Sequence, residues 1–507
     1  MIASIVVALL GATAATPCES LISLRLDQAR IVSAEMVAEG PAPARETGQT
    51  RGAAPGGRAA GAPTARAGGN PPQPAMIPAH CRVQLTLTPS SDSLINMELW
   101  LPPAERWNGK FMGVGNGGFA GSIQGLASEM PQALRLGYAT AGTDTGHQEP
   151  GGAWAIGHPE KMIDFGYRAT HEMTLKSKQI VNAFYDRSAQ YSYFKGCSTG
   201  GRMALMEAQR YPDDYNGIIA GSLANRHIHM WTAGIERSIA LSRHPERAIT
   251  DEQAALVNDL VMNTCDALKE GFLNNPPSCK VDFSVLKCKQ GRAEGSCLTE
   301  PQLKTVETYY GGVKNSKGQM IFSGQALGNP MAAQRPTNDA PSGLFDLVRI
   351  AYNDADVDWH TFDLDRDMKH LDEKIGYVDA VNPDLRAFKS SGGKLLITHG
   401  WSDTGITPLT SIWYYESVLD KMGRNQSAWL RLFMAPGMGH CGGGPGVNTF
   451  DSIGALEKWV EKGVAPDTMM GTGAQGLTRP LCPYPQYADY KGAGDLKDAS
   501  NWTCKAP

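Results

Sequence analysis

The sequence predicts an α/β fold: a mostly parallel central sheet covered by helices and interrupted by a large inserted cap. Three observations carry this. From about Ile95 to Ala224, short apolar strands alternate with longer helical stretches, the pattern of parallel strands joined by helical crossovers. The alternation stops between about Asn225 and Leu385 and resumes at Lys394. Finally, Gly196-Cys197-Ser198-Thr199-Gly200 lies between an apolar strand and a helix. A serine there occupies a tight, strained strand-to-helix turn that exposes its hydroxyl.

Composition bounds the rest. The chain has 507 residues, 42% of them hydrophobic, enough for a sizeable core and too long for one ordinary domain. Lys+Arg is 47 against Asp+Glu 51, and no basic stripe stands out, which argues against nucleic acid as the main partner. Ten cysteines, an even count, suggest a disulfide framework if the chain is exported and metal or catalysis if it is cytosolic.

Taken in order, the apolar run Ile5 to Leu10 followed by Gly11-Ala12-Thr13-Ala14-Ala15 reads as a secretory signal over residues 1–15. No other stretch reaches the apolar length that spans a bilayer, so no membrane partner is expected. Residues 38–75, rich in Ala, Gly, Pro and Arg, have no hydrophobic period and read as a flexible insertion. Apolar alternation flanks it at Leu21 to Leu26 and at Val83 to Leu87; a Cys18–Cys81 bond would tie the insertion at its base. Strands are expected at Ile95–Leu101, Lys110–Gly115, Tyr138–Asp144, Tyr191–Lys195 and Gly217–Ala220, with helices at Asp164–Tyr185 and Arg202–Tyr211. Residues 225–385, with four cysteines and no clear strand series, form the cap or lid. Residues 16–224 and 386–507 form the catalytic domain. Its second part runs strand Leu395–Ile397, helix Leu409–Met422, strand Leu430–Met434 and helix Phe450–Lys462.

A serine nucleophile needs a base, and the base needs an orienting carboxylate. In this kind of fold they follow the serine in the order acid, then histidine. The strand at Lys394 runs into His399-Gly400-Trp401-Ser402-Asp403, placing Asp403 just past a strand end. The next strand runs into Gly439-His440-Cys441, a loop presenting one histidine. His399 competes as the base, but it precedes its acid and lies close to a strand end. Cysteines neighbour both candidates, Cys197 before Ser198 and Cys441 after His440, and a bond between them would clamp the elbow to the histidine loop. The oxyanion hole needs two donors. One is the Thr199 N–H. The other comes from the glycine-rich loop after the strand at Phe111, where Gly118 is named and Gly117 is the near alternative.

With those residues in view, the chain past its first segment resembles the tannase/feruloyl esterase family of α/β-hydrolases, which includes mono(2-hydroxyethyl) terephthalate hydrolases. The matching stretches are Trp107-Asn108-Gly109-Lys110-Phe111, Gly142-Thr143-Asp144-Thr145-Gly146-His147, Asp164-Phe165-Gly166-Tyr167-Arg168, Gly196 through Arg202, Gly400-Trp401-Ser402-Asp403 and Gly439-His440-Cys441. The resemblance implies an α/β-hydrolase fold with a lid, a Ser198–Asp403–His440 triad and the Cys197–Cys441 bond. It also implies pairs Cys18–Cys81, Cys265–Cys279, Cys288–Cys297 and Cys482–Cys504, which use every cysteine and fit a secreted or periplasmic protein. No cofactor is required, although the family usually carries a calcium loop in the lid. Here that loop is shorter by about three residues, and Asp266, Glu270 and the Phe272 carbonyl are the oxygens left for an ion that takes six to eight.

The expected activity is hydrolysis of esters of aromatic, hydroxycinnamic or phenolic acids through an acyl-enzyme, with a small aromatic ester as the partner. Galloyl esters and terephthalate monoesters are the alternative substrates, and a silent binding protein on a hydrolase scaffold is the alternative class. For Trp231, Phe345, Tyr352, Trp359 and Phe362, core packing within the cap is the favoured role, with stacking on the acyl group as the alternative. The sequence leaves the oligomeric state open.

Overall fold

The computed structural model describes residues 16–41, 76–123, 129–289, 295–341 and 343–507. The expected signal over 1–15, and residues 42–75 of the Ala/Gly/Pro-rich insertion, lie outside the described residues.

Nine strands form the central sheet: β1 Ala29–Val37, β2 His80–Leu87, β3 Ile95–Leu101, β4 Lys110–Val114, β5 Ala139–Thr143, β6 Tyr191–Cys197, β7 Gly217–Gly221, β8 Lys394–Gly400 and β9 Leu430–Ala435. Their order is β1-β2-β3-β5-β4-β6-β7-β8-β9. The β1–β2, β2–β3 and β3–β5 pairs are antiparallel, and every pair from β5 to β9 is parallel. The parallel strands are apolar on both faces, as strands covered by helices must be. Leu395 and Ile397 of β8 enter one apolar cluster and Leu396 the other, following the two-residue period of a strand. Helices α2 (Ala169–Tyr185), α3 (Thr199–Arg210) and α9 (Leu409–Met422) cover the first face, while α1 (Glu129–Arg135) and α10 (Ser452–Lys462) cover the second.

The chain leaves the sheet after β7 and returns at β8. Between them lie α4 (His227–Arg243), α5 (Asp251–Cys265), α6 (Glu300–Gly311), α7 (Asp346–Tyr352) and α8 (Leu364–Ile375), packed around cores of their own. Helices α5 and α6 each open on a capping box, Thr250 with Gln253 and Thr299 with Gln302, which satisfies two otherwise orphaned amides per helix. The two glutamines then bond each other across the helix starts, Gln253 Nε2 to Gln302 Oε1 at 3.0 Å.

The structure adds detail to several sequence readings and corrects others. The alternation at Leu21 to Leu26 forms no strand: Cys18–Ser23 form a 3-10 turn that buries Leu21, and the edge strand is Ala29–Val37. Hydrogen-bonded structure extends into residues 38–41, since Gly40–Pro41 pair with Met76–Ile77. The Asp164–Tyr185 helix opens on a wide turn, Asp164–Arg168, before α2 begins at Ala169. The region after β7 contains a small hairpin, Val313–Lys314 with Met320–Phe322.

One buried cation ties these layers together. Arg202 of α3 is fully buried. Its guanidinium donates to the carbonyls of Gly166 (2.6 Å), Phe165 (2.9 Å) and Val378 (3.2 Å) and lies over the Phe165 ring. Burial pulls its pKa down to about 10, with Asp379 opposing that fall. Replacement Arg202→Met removes three charged hydrogen bonds to buried carbonyls and is expected to cost about 2–4 kcal/mol of stability, read as a lower thermal midpoint by circular dichroism.

Candidate active site

The nucleophile turn is built by glycines that let backbones touch. Ser198 joins β6 to α3 at φ +65° and ψ −124°, a conformation L-residues hold only when their surroundings enforce it. A Cβ at Gly196 would stand 2.2 Å from the Gly200 carbonyl oxygen, and one at Gly115 would stand 2.6 Å from the Gly200 Cα. Helix α3 starts at Thr199, one turn earlier than the sequence suggested, so its positive end lies directly behind the serine. The Ser198 hydroxyl has no hydrogen-bond partner among the described residues, and the approach of a base to such a serine is commonly looser without substrate.

The oxyanion side is joined to this turn by a side chain. Thr199 Oγ1 donates to the Gly118 carbonyl at 2.6 Å, fixing the peptide that follows Gly118 relative to the first helical amide. Gly118 takes φ +60°, and nothing lies within 4 Å of where its Cβ would be. Its neighbour Gly117 faces open space at an ordinary φ, so the backbone demands glycine only at Gly118.

Asp403 is fully buried at the end of β8 and uses both carboxylate oxygens. Oδ1 accepts from the amides of Gly405 and Ile406, each at 2.9 Å. Oδ2 accepts from His440 Nδ1 at 2.8 Å and His399 Nε2 at 3.1 Å. Burial alone would raise its pKa, but the two histidine bonds outweigh it and hold the carboxyl well below the usual carboxylate range. His440 keeps a 31% exposed side chain, so its outer edge reaches solvent. Cys441 is bonded to Cys197, with the two Cα atoms 5.9 Å apart. The acid and histidine loops also lie backbone on backbone: Ser402 N donates to the Met438 carbonyl at 2.9 Å, and a Cβ at Gly400 would meet that same oxygen at 2.2 Å. The structure therefore brings Asp403 and His440 together and links the histidine loop covalently to the residue before Ser198.

The region between β7 and β8 braces the acid. Asn329 Nδ2 donates to the Asp403 carbonyl at 2.8 Å, and Thr407 Oγ1 donates to the Gly324 carbonyl at 2.6 Å. Of the five aromatics named from the sequence, only Trp231 reaches the oxyanion loop, standing edge-on to Phe119 at 4.3 Å. Phe345 and Phe362 are buried in the core of the inserted region. Tyr352 bonds Asp367 and stacks on His370, and Trp359 lies against His360. Of the histidines upstream of Ser198, His147 is buried against Trp154 and His171 pairs with Asp214.

All ten cysteines are paired: Cys18–Cys81, Cys197–Cys441, Cys265–Cys279, Cys288–Cys297 and Cys482–Cys504. The oxygens named for calcium do not fit that ion. Asp266 accepts the amides of Glu270 (3.1 Å) and Gly271 (2.8 Å). Glu270 faces the Arg479 guanidinium at 2.7 and 3.2 Å, and Asn274 Oδ1 accepts from the same arginine at 2.5 Å. Phe272 turns its ring toward Arg479, which also stacks on Trp502 at 3.6 Å. A buried organic cation already balances this loop.

Sequence reasoning missed His399 as a partner of Asp403, together with Asn329, Arg479 and the Thr199 hydroxyl. Only the first had a local signal, the four-residue spacing from His399 to Asp403; the others meet across distant segments.

The tannase and feruloyl esterase family profile matches residues 81–505. An uncharacterised esterase of Xanthomonas campestris pv. campestris is 34% identical, with 84% of each chain covered. A probable feruloyl esterase B-2 of Aspergillus terreus is 31% identical over 84% of this chain and 86% of its own. The crystal structure of feruloyl esterase B from Aspergillus oryzae superposes with a TM-score of 0.82 at 28% identity, covering 96% of this chain and 99% of that one.

Added calcium or EDTA is expected to leave the melting temperature unchanged. Arg479→Met strands the buried Glu270 carboxylate and should cost about 3–5 kcal/mol. Differential scanning fluorimetry with and without each additive checks both.

Proposed function

The chain belongs to the tannase and feruloyl esterase family of ester hydrolases, and from that premise we propose that Ser198, His440 and Asp403 perform its ester hydrolysis. The observation that carries this assignment is the pairing of His440 with a buried, ionised Asp403 on a loop bonded to Cys197. His440 Nε2 takes the Ser198 proton as the hydroxyl oxygen attacks the ester carbonyl. The developing oxyanion is met by the amides of Thr199 and Gly118 at the positive end of α3. Asp403 holds the imidazole with its proton on Nδ1 and stabilises the imidazolium that forms. His440 then returns the proton to the leaving alcohol. Water, deprotonated by the same imidazole, attacks the acyl-enzyme and releases the acid.

The substrate is an ester of an aromatic acid of the hydroxycinnamic type. Feruloyl esterases recur among the relatives by name, and the Phe119–Trp231 pair beside the oxyanion loop supplies an aromatic wall. The protein is exported: the apolar start is signal-like, and five disulfides suit an oxidising compartment.

Replacing Ser198 with Ala should lower kcat about 10⁴-fold or more while the circular dichroism spectrum is retained; hydrolysis near the wild-type rate would discard the assignment. Among methyl ferulate, methyl gallate and p-nitrophenyl acetate, kcat/KM should be highest for methyl ferulate. Preference for methyl gallate would move the substrate to galloyl esters.

A further inference from the structure

Two imidazoles, not one, bond the triad carboxylate. His399 is the penultimate residue of β8, is fully buried and lies on the inner side of Asp403. Its Nε2 faces two acceptors, Asp403 Oδ2 at 3.1 Å and the Ile406 carbonyl at 3.2 Å. An imidazole nitrogen facing only acceptors must carry the proton. Its Nδ1 lies 2.7 Å from Ser411 Oγ, in the first turn of α9. A ring protonated on Nε2 accepts at Nδ1, so the Ser411 hydroxyl is the donor there. The result is a directed chain: Ser411 O–H to His399 Nδ1, His399 Nε2–H to Asp403 Oδ2, with His440 Nδ1–H reaching the same oxygen from the cleft side.

We propose that His399 is a positioning residue for ester hydrolysis: its Nε2–H occupies the inner side of Asp403 Oδ2 and leaves one approach, on the cleft side, for His440. The proposal rests on the assignment of Asp403 and His440 as acid and base. His399 is not itself the base, since both its nitrogens are committed inside the protein and neither meets solvent. Its reach to the Ile406 carbonyl also closes the 403–406 turn, whose amides hold Oδ1. Both oxygens are thus fixed, one by backbone and one by His399, before His440 arrives. Ser411 anchors the far edge of that ring. Without its hydroxyl, the buried Nδ1 loses its partner and the ring is free to tilt, which loosens the Nε2–H bond to Asp403.

The test uses full-length enzyme with methyl ferulate. Loss of a group that orients a catalytic partner commonly costs about 10- to 100-fold in activity. For His399→Leu that loss should fall on kcat, with KM nearly unchanged, because His399 does not touch substrate. His399→Gln, whose side-chain amide can donate from nearly the position of Nε2, should recover most of the loss. Ser411→Ala should reduce kcat several-fold with the circular dichroism spectrum retained, and it keeps the proposal testable if His399→Leu does not fold. An unchanged kcat in Ser411→Ala or His399→Leu overturns the proposal, and so does a His399→Gln variant as slow as His399→Leu. Phosphonate labelling of Ser198, run on the same wild-type preparation, separates the two readings. Absent labelling removes the triad assignment itself, whereas labelling with an indifferent His399 removes only the positioning role.

Discussion

The covalent bond between Cys197 and Cys441 is the constraint on which the rest of the site depends. It joins residues separated by 244 positions, so its loop contains the whole inserted region, the acid and the last parallel strands. Closing a loop of that length restricts the unfolded chain by on the order of 5 kcal/mol in the chain-entropy view. The local effect matters more for function. The nucleophile turn is rigid because Gly196, Gly200 and Gly115 allow no other packing, whereas the histidine loop is rich in glycine and would otherwise sample many conformations. The bond transfers the rigidity of the first to the second.

Around that bond the inserted region acts as part of the scaffold. Asn329 holds the Asp403 backbone, Gly324 receives the Thr407 hydroxyl, and the Val378 carbonyl receives Arg202 from the nucleophile helix. Each of these contacts links the insertion to a residue within a few positions of Ser198 or Asp403. Arg479 extends the same logic to the C-terminal tail, reaching Glu270 and Asn274 on one side and the Leu496 carbonyl on the other.

What could be read from the sequence follows how local each signal is. Ser198 is legible because Gly196 and Gly200, two of the glycines that let it exist, lie within two residues of it. Asp403 and His440 are legible because each follows an apolar strand in a fixed order. His399 was set aside as an alternative base, yet burial gives it a different task, and burial depends on α9 folding back over β8. Arg479 and Asn329 left no local trace, since their partners are 209 and 74 positions away. The alternation at Leu21 to Leu26 is the opposite case, a two-residue period without a strand. A two-residue period marks a strand only where a neighbouring strand is free to pair, and β2 is already paired by Ala29–Val37.

The short ladder of Gly40 against Ile77 and Pro41 against Met76 has a consequence for how this architecture can vary. Residues opposite each other in an antiparallel pair lie about 5 Å apart, so the chain departs from and returns to the sheet edge at nearly one point. Whatever joins the two ends imposes no displacement on β1 or β2, and extra length there adds closure entropy only logarithmically. The same edge can therefore accept a tight turn, a long spacer or a grafted module without altering the distances among Ser198, Asp403 and His440. It is a natural attachment point for immobilising the enzyme or fusing it to a binding domain.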